Sequence, residues 1–404
     1  MKCGLLGRKL SHSYSPQIHS LLADYSYGLF EKEPEELESF LKSGDWTGIN
    51  VTVPYKKAVL PFLDELTPIA SRLGAVNTVV RQDGKLIGHN TDYFGFQTMV
   101  SSCGVDIAGK KVLVMGSGGA SCTAAAVLDE LGAQVVVISR TGVNHYGNLH
   151  LHADATMIVN TTPVGMYPNT GITPVDLDQF PCLKGVLDVI YNPARTRLLL
   201  DAEKRGLVTM NGLLMLVAQA KEAAEWFLDK PIDDQLVTKI HQVLREQMEN
   251  ILLIGMPGCG KSTVGKLLAE ITNRKFADAD ELIVSMTGKP IPQIFAETGE
   301  AGFRDFETRA LEELCKQSGL VIATGGGCVT QDRNYPLLHQ NGRIIWLKRD
   351  IKDLSTEGRP LSQRTPLEQM YHLRKPMYEG FADCVIDNSG TPEETAKNIL
   401  EVLK

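Results

Sequence analysis

Two glycine-rich loops, each between an apolar strand and a helical pattern, constrain the fold of this chain most strongly. The first, MGSGGAS at residues 115–121, follows the run KKVLV, and the second, GMPGCGKST at residues 255–263, follows ENILLI. A strand, a tight glycine turn and a helix open a nucleotide-binding sheet, because loop N–H groups and the helix N-terminus bind phosphate. The sequence therefore predicts two α/β nucleotide-binding regions in one chain.

Length and composition agree with a multidomain globular protein. At about 100–200 residues per domain, 404 residues predict two to four domains, and a net charge of −7 argues against a nucleic-acid or membrane-surface binder. Eight cysteines without a C-x-x-C pair indicate neither a zinc site nor a disulfide framework. The start MKCGLLGRKLSHS lacks the apolar core of an export signal. We expect a cytoplasmic protein, either a monomer or a homodimer.

The first loop has the features of a dinucleotide site. Gly116, Gly118 and Gly119 end a strand and open a helix, which suits a pyrophosphate. About twenty residues later, where an NAD enzyme carries an acidic residue, the chain has Ser139 and Arg140. An arginine can pair with a 2′-phosphate, so the sequence predicts NADP; the alternative is a solvated loop arginine.

Polar residues precede this loop in four short motifs, SHSYSPQIHS, GINVTVPYK, GAVNT and GHNTDYFGF. Their hydroxyls, amides and Lys/Asp pair suit a small polyhydroxylated ligand. Turn residues and a surface lysine are the alternative interpretation. Together with NTTPVGM, DVIYNP and NGLLMLVAQA, however, these motifs make residues 1–235 resemble shikimate dehydrogenase.

That resemblance implies NADPH-dependent reduction of 3-dehydroshikimate to shikimate, with Lys56 and Asp92 as the catalytic pair. An ammonium can stabilise the alkoxide left by hydride transfer and protonate it. By motif, the substrate would be bound by Ser13, Ser15, Thr52, Lys56, Asn77, Asp92, Tyr191 and Gln219. NADP would be bound by Gly116, Ser117, Gly118, Gly119, Ala120, Ser139, Arg140, Thr141, Gly212 and Met215. The chain departs from the family after Thr141, where GVNHYG lacks a second basic residue for the phosphate.

The second loop satisfies the full P-loop pattern, in which N–H groups and a lysine bind phosphates and a serine hydroxyl holds Mg²⁺. The motifs FADADELIVSMTGKPI, GEAGFRDFE, ATGGGCV, GRPLS and LRKPMYEGFA follow in order, so residues 250–404 resemble shikimate kinase. The resemblance implies phosphorylation of shikimate by ATP. ATP would be bound by Gly258, Cys259, Gly260, Lys261, Ser262, Thr263 and Arg359, and Mg²⁺ by Ser262 and Asp278.

The same resemblance assigns the kinase substrate to Asp280, Arg304, Gly326, Gly327 and Arg374. Asp280 would orient the attacking hydroxyl and, with Lys261, act in catalysis; the two arginines would bind the carboxylate, with Glu307 orienting Arg304. Gly325, together with Gly326 and Gly327, would allow the backbone to approach the substrate closely. The segment LKRDIKDLSTEGRPLS is shorter than the family's arginine-bearing lid, which raises the question whether Lys348 or Arg349 substitutes.

The prediction is thus an α/β chain with a two-domain dehydrogenase, an α/β substrate domain plus a Rossmann NADP domain, followed by a P-loop NTPase-type parallel α/β kinase domain. The first site would make the hydroxyl that the second phosphorylates. Two alternatives stay open: a P-loop domain that only senses ATP, and a quinate- and NAD-preferring dehydrogenase joined to a kinase for another small alcohol. The predicted boundaries are 1–98 with 207–232 for the substrate domain, 99–206 for the NADP domain, 233–249 for a connector and 250–404 for the kinase.

Overall fold

A computed structural model describes residues 1–10, 13–354 and 366–403. The chain divides into two compact units, of which the first contains residues 1–164, 173–191 and 201–244. The second contains residues 165–172, 192–200 and 245–404. The main division lies close to residue 250, as the two loops indicate, whereas no sequence motif indicates that two short earlier segments belong with the second unit.

The first unit begins with a six-stranded mixed sheet. Its strands are β1 Lys2–Gly7, β2 Ser26–Glu31, β3 Gly48–Val51, β4 Glu65–Leu66, β5 Thr78–Gln82 and β6 Lys85–His89. They lie in the order β2-β1-β3-β5-β6-β4, with β3/β5 and β5/β6 antiparallel and the other pairs parallel. The helices of this region are α1 Ser15–Leu22, α2 Leu37–Ser43, α3 Pro68–Leu73 and α4 Asp92–Ser102.

A second, fully parallel sheet follows. Its strands are β7 Lys111–Met115, β8 Gln134–Ile138, β9 Met157–Asn160, β10 Gly185–Asp188 and β11 Val208–Met210, in the order β11-β10-β9-β7-β8. The run VLVM of β7 is fully buried, as expected of a strand covered on both faces. The next helices along the chain are α5 Gly119–Glu130, α6 Arg197–Glu203, α7 Leu213–Leu228 and α8 Gln235–Met248. Half of the residues of α7 are buried, and α8 lies within the segment 233–249 predicted as a connector.

The second unit contains another parallel five-stranded sheet. Its strands are β12 Asn250–Ile254, β13 Lys275–Asp278, β14 Leu320–Ala323, β15 Gly342–Lys348 and β16 Cys384–Asp387, in the order β13-β14-β12-β15-β16. The loop after the central strand β12 therefore emerges at the middle of the carboxyl edge, where open α/β sheets bind ligands. The helices are α9 Lys261–Thr272, α10 Ala279–Thr287, α11 Ile291–Cys315, α12 Asn334–His339, α13 Leu367–Phe381 and α14 Pro392–Leu403.

The predicted α/β fold class is thus confirmed. Helix α11 is interrupted at Gly299, whose φ of 68° breaks the helical geometry. Within the described ranges, none of the helices combines the length and the apolar character that crossing a bilayer requires.

Candidate functional sites

A pocket of about 410 Å³ in the first unit collects the residues predicted to bind the dehydrogenase substrate. It is lined by all eight of them, Ser13, Ser15, Thr52, Lys56, Asn77, Asp92, Tyr191 and Gln219. Three residues predicted for the cofactor also line it, Ala120, Gly212 and Met215. Residues from distant parts of the chain therefore meet in one cavity.

Lys56 and Asp92 form a direct ion pair in this pocket. Lys56 lies beyond the end of β3, Asp92 is the first residue of α4, and the Lys56 Nζ donates to Asp92 Oδ2 at 2.5 Å. The two side chains are 32% and 19% exposed. A carboxylate in the first turn of a helix is favoured by the helix dipole. The ammonium is thus held in place at the pocket wall, where it can donate a proton to a bound ligand.

The amide side chains of the pocket are held by one another. Asn77 accepts a hydrogen bond from the Thr91 N–H at 2.7 Å and donates through Nδ2 to Thr91 Oγ1 at 3.0 Å. The same Nδ2 lies 3.4 Å from Gln219 Oε1, although the two residues are 142 positions apart. Because Thr91 precedes Asp92 directly, this network also positions the start of α4.

Sequence reasoning missed two polar residues that line the pocket. Asn50 accepts from the Tyr27 hydroxyl at 2.7 Å, donates to Thr78 Oγ1 at 3.1 Å and faces the cavity. It belongs to the same motif as Thr52, and the period of two along a strand could have identified it. Tyr14 also lines the pocket, with its ring edge-on to that of Tyr191 at 6.1 Å between centroids. No pattern in the sequence indicated that contact.

The predicted pyrophosphate loop is the turn between β7 and α5. A methyl group built on Gly118 or Gly119 would meet no atom within 4 Å. Internal packing therefore gives no reason for glycine at these two positions, whereas close approach of an external ligand does. Gly116 and Ser117 lie in the same turn, while Ser139, Arg140 and Thr141 directly follow the neighbouring strand β8, with Arg140 exposed. These seven residues do not line the substrate pocket described above.

At position 212, packing within the protein itself requires a glycine. A methyl group at this position would overlap the carbonyl of Val189, so the start of α7 can approach the end of β10 only with glycine there. This packing brings Met215 and Gln219, on the first turns of α7, to the pocket.

A pocket of about 240 Å³ in the second unit collects the residues predicted for the kinase. It is lined by Gly258, Gly260, Lys261, Ser262, Thr263, Asp278, Asp280, Arg304, Gly326, Gly327 and Arg374. The side chain of Cys259 is fully buried and does not line it. The prediction for Arg359 lies outside the described residues.

The P-loop takes a backbone shape that glycine permits. Gly258 and Gly260 have φ values of 84° and 96°, in the left-handed region. The Lys261 Nζ donates to the carbonyl oxygens of Gly255 at 2.9 Å and Met256 at 3.1 Å. The Lys261 ammonium is therefore hydrogen-bonded to carbonyl oxygens of its own loop.

Ser262 and Asp278 fit a magnesium site. The Ser262 hydroxyl donates to Asp278 Oδ2 at 2.6 Å, while Asp278 Oδ1 accepts from the Asp280 N–H at 2.9 Å and caps α10. A hydroxyl and a carboxylate oxygen thus converge beside the P-loop. Oxygen ligands in small number suit Mg²⁺, which retains several waters in such sites.

Asp280 carries a strongly perturbed carboxyl group. Burial raises its pKa from 3.8 to about 6, and the neighbouring carboxylates of Asp278 and Glu307 add to the shift. Within the described part of the chain its Oδ1 is buried without a hydrogen-bond partner. Such a group is suited to accepting a hydrogen bond from a ligand hydroxyl.

Arg304 is almost completely buried between two carboxylates. Its side chain is 4% exposed, and it donates to Glu307, which is 0% exposed, at 2.8 Å and to Glu300, which is 54% exposed, at 3.1 Å. The expected contact with Glu307 is thus present. Glu300 was missed, although its position one helical turn before Arg304 is the spacing at which side chains meet.

The triple glycine, residues 325–327, has a packing role that the sequence did not indicate. A methyl group on Gly327 would overlap the Arg304 guanidinium, and one on Gly326 would lie 2.6 Å from Pro257 Cδ. The Gly326 carbonyl accepts from Arg374 Nη1 at 3.0 Å. The loop therefore fits against both arginines and the P-loop only because it lacks side chains.

An apolar wall completes this pocket. Phe295 and Phe303 stack with ring centroids 4.4 Å apart, and both line the cavity. Neither was singled out from the sequence, because aromatic residues on a helix are more often core residues. The pocket thus combines an anion-binding loop, a carboxylate, two arginines and an apolar surface.

Comparisons with known proteins match both parts of the chain. The family model described as shikimate dehydrogenase substrate binding domain matches residues 5–79, and the model described as shikimate kinase matches residues 257–404. A shikimate dehydrogenase (NADP(+)) of Clostridium perfringens is 36% identical over 264 residues, which cover 60% of this chain and 97% of that protein.

Two solved structures match the same portion of the chain. Shikimate dehydrogenase 1 from Peptoclostridium difficile has 38% identity and a TM-score of 0.56, covering 60% of this chain and 97% of that one. Shikimate 5-dehydrogenase from Thermus thermophilus, solved in complex with NADP(H) and shikimate, has 31% identity and a TM-score of 0.55, covering 60% and 99%. The chain therefore belongs to the shikimate dehydrogenase family in its N-terminal part and carries a shikimate kinase domain in its C-terminal part, and it is a bifunctional enzyme of the shikimate pathway.

Proposed function

We propose that the first unit reduces 3-dehydroshikimate to shikimate with NADPH and that the second phosphorylates shikimate to shikimate 3-phosphate with ATP. One observation carries the proposal: each unit brings a proton-transferring or hydroxyl-orienting group and a set of ligand-binding groups into a single pocket. Two nucleotide loops in one chain then serve two consecutive reactions.

In the first pocket, bound NADPH supplies the hydride. The Lys56 ammonium donates a proton to the carbonyl oxygen as negative charge develops there, a contribution of roughly 10²–10⁴ in rate. Asp92 keeps Lys56 in position at 2.5 Å and accepts a hydrogen bond from a substrate hydroxyl. The other hydroxyls and the carboxylate are bound by Ser13, Ser15, Thr52, Asn77, Tyr191 and Gln219.

For the cofactor, Arg140 pairs with the 2′-phosphate of NADP, with Ser139 and Thr141 beside it. The glycines of the turn after β7, with Ser117 and Ala120, receive the pyrophosphate at the N-terminus of α5. Gly212 and Met215 would contact the nicotinamide; that both line the substrate pocket supports this assignment.

In the second pocket, ATP with Mg²⁺ supplies the phosphoryl group. Asp280 accepts the proton of the attacking hydroxyl and orients its oxygen, while Arg304 and Arg374 bind the substrate carboxylate. Ser262 and Asp278 hold Mg²⁺, and Lys261 stabilises the charge on the transferred group.

The alternatives are less well supported. A domain that only senses ATP needs the P-loop but has no use for Asp280 with two arginines and the triple glycine in the same cavity. The NADP(+) enzyme of Clostridium perfringens and Arg140 beside β8 argue against an NAD-preferring quinate enzyme. Parallel assays with quinate and with NADH test this point directly.

The test of the proposal is mass spectrometry of products formed from 3-dehydroshikimate, NADPH, ATP and Mg²⁺. The unmodified chain is expected to form shikimate 3-phosphate, Lys261→Ala to accumulate shikimate, and Lys56→Ala to form neither product. Shikimate without phosphorylated product in the unmodified chain would contradict the kinase assignment.

The same proposal includes a cytoplasmic location and a monomer or homodimer. Cell fractionation tests the location. Sedimentation of the purified chain at several concentrations tests the oligomeric state.

A further inference from the structure

Arg349 lies beside the P-loop, just beyond the end of β15. It is half-buried, and a methyl group built on Gly260 would lie 3.8 Å from its Nη1. Gly260 lines the nucleotide-loop pocket and directly precedes Lys261. A guanidinium therefore stands next to the backbone that would receive the phosphates.

One residue fixes this arrangement. The backbone N–H of Asn388 donates to the Lys348 carbonyl at 2.7 Å, and its side-chain Nδ2 donates to the Cys259 carbonyl at 2.5 Å. Asn388 is itself 2% exposed, and its Oδ1 accepts from the Thr395 hydroxyl at 2.6 Å. The end of β15 and the P-loop are thus bonded to the same buried residue, one through its backbone N–H and the other through its side chain, so that the fold sets the distance from Arg349 to the loop.

Among the residues that the structure describes, none supplies a carboxylate partner for the half-buried Arg349. Its Nε is shielded from solvent and has no hydrogen-bond partner, and in the described ranges no carboxylate forms an ion pair with it. Arg304, by contrast, has two carboxylate partners. The N-terminus of α9, whose N–H groups carry partial positive charge, lies beside Arg349, because Gly260 directly precedes that helix. Such a group is favourable only when an anion is bound beside it.

We infer that Arg349 binds the phosphate oxygens of the nucleotide, together with the P-loop and Lys261. The inference deepens the proposed kinase function and rests on its use of ATP. A guanidinium fork matches phosphate oxygens better than an ammonium, and a partly desolvated one interacts more strongly than an exposed one. Arg349 then adds a cation to the nucleotide site from the residue that follows β15, independently of residues 355–365.

The experiment measures binding of ATP, ADP and adenosine to the full-length chain by calorimetry, for the unmodified protein and for Arg349→Gln, Arg349→Lys and Lys348→Gln. Lys348→Gln is the matched control, since it removes an adjacent exposed cation. We expect Arg349→Gln to raise the Kd of ATP and ADP by roughly 10- to 100-fold and to leave adenosine unchanged. Arg349→Lys is expected to recover part of the loss and Lys348→Gln to change each Kd less than twofold.

A second readout excludes a merely structural role. Removing an unpaired cation should leave the melting temperature without nucleotide unchanged or higher, and dehydrogenase activity unchanged. An unaltered Kd for ADP and ATP in Arg349→Gln, an equal loss for adenosine, or a lower melting temperature with equally weakened shikimate binding would overturn the inference. So would an unmodified chain that binds neither ATP nor ADP. An unmodified chain that binds ATP without phosphorylating shikimate contradicts the proposed kinase function alone, because the Arg349 comparison depends only on binding.

Discussion

The two pockets balance their charges in different ways. In the first, one ammonium meets one carboxylate, Lys56 with Asp92, and both are partly exposed. In the second, as far as the structure describes the chain, Asp280 has a buried oxygen without a partner near two other carboxylates, and Lys261 is bonded only to neutral loop groups. In the first site the ammonium and the carboxylate are paired before a ligand arrives, whereas in the second Asp280 and Lys261 lack a direct ion-pair partner among the described residues and are left to bind ligands. Ligand binding should therefore affect the stability of the second unit more than that of the first.

The largest expected effect concerns Lys56. Lys56→Met should lower dehydrogenase kcat by about 10³-fold, within the usual range for a general acid, because no other ammonium lies in the pocket lining that the structure describes. Stopped-flow measurement of NADPH oxidation gives the rate. Lys57→Met, which removes the adjacent exposed lysine, is the control and should retain full activity. A loss of less than tenfold in Lys56→Met would mean that another group supplies the proton.

The next effect concerns the ion pairs themselves. Glu307→Gln removes a fully buried carboxylate from Arg304 and should destabilise the second unit by about 3 kcal/mol. Asp92→Asn removes the partly exposed carboxylate that pairs with Lys56 and should lower the free energy of unfolding of the first unit by at most about 1 kcal/mol.

Urea unfolding measures both values. Trp346, which is 3% exposed, reports on the second unit in a chain whose other two tryptophans are replaced by Phe, and Trp46 reports on the first unit in the converse background. If the two substitutions lowered the free energy of unfolding by equal amounts, the proposed difference between the two sites would be contradicted.

A third effect is a pH dependence confined to the kinase. Because Asp280 acts in its ionised form and has a pKa raised to about 6, kinase activity should fall roughly tenfold between pH 7 and pH 5. The stability of the fold depends on pH in the opposite direction. The folded state binds the Asp280 proton more tightly than the unfolded state does, so the contribution of Asp280 to the free energy of unfolding decreases as the pH rises from 3.8 to about 6. Asp280→Asn should abolish phosphoryl transfer and raise stability at pH 7. A kinase rate that does not fall between pH 7 and pH 5 would contradict the role proposed for Asp280.

The smallest effect concerns Glu300. This exposed carboxylate occupies one side of the Arg304 guanidinium at 3.1 Å, where a substrate carboxylate would bind. In the unmodified chain, Glu300 would compete with the substrate carboxylate for Arg304. Glu300→Gln should weaken this competition and lower the KM for shikimate about threefold with kcat unchanged. Glu297→Gln, whose carboxylate pairs with Lys289, is the control. A raised KM in Glu300→Gln would show that Glu300 supports Arg304 rather than competing for it.

The sequence predicted the parts of each site that depend on local motifs. The strand-glycine-helix order predicted both loops, and short motifs named Lys56, Asp92 and Asp280 as candidates; Lys56 lies shortly after β3, and the two aspartates lie in the first turns of α4 and α10. Residues that act through side-chain contacts across the fold were not predicted. Glu300 bonds Arg304 by a rotamer choice, Tyr14 meets Tyr191 through tertiary packing, and Arg349 approaches Gly260 through Asn388. The grouping of residues 165–172 and 192–200 with the second unit is likewise set by tertiary contacts alone.

Asp278 shows how tightly chemistry and architecture can be combined in one side chain. One oxygen of its carboxylate starts helix α10, and the other accepts the Ser262 hydroxyl at the proposed magnesium site. Its position is consequently determined by folding and not by metal, so the ligand is already oriented when the ion arrives. Substitution there cannot adjust metal affinity without also changing the beginning of the helix that carries Asp280. Few amino acids can satisfy both demands, which leaves this position little freedom to vary however the rest of the unit changes.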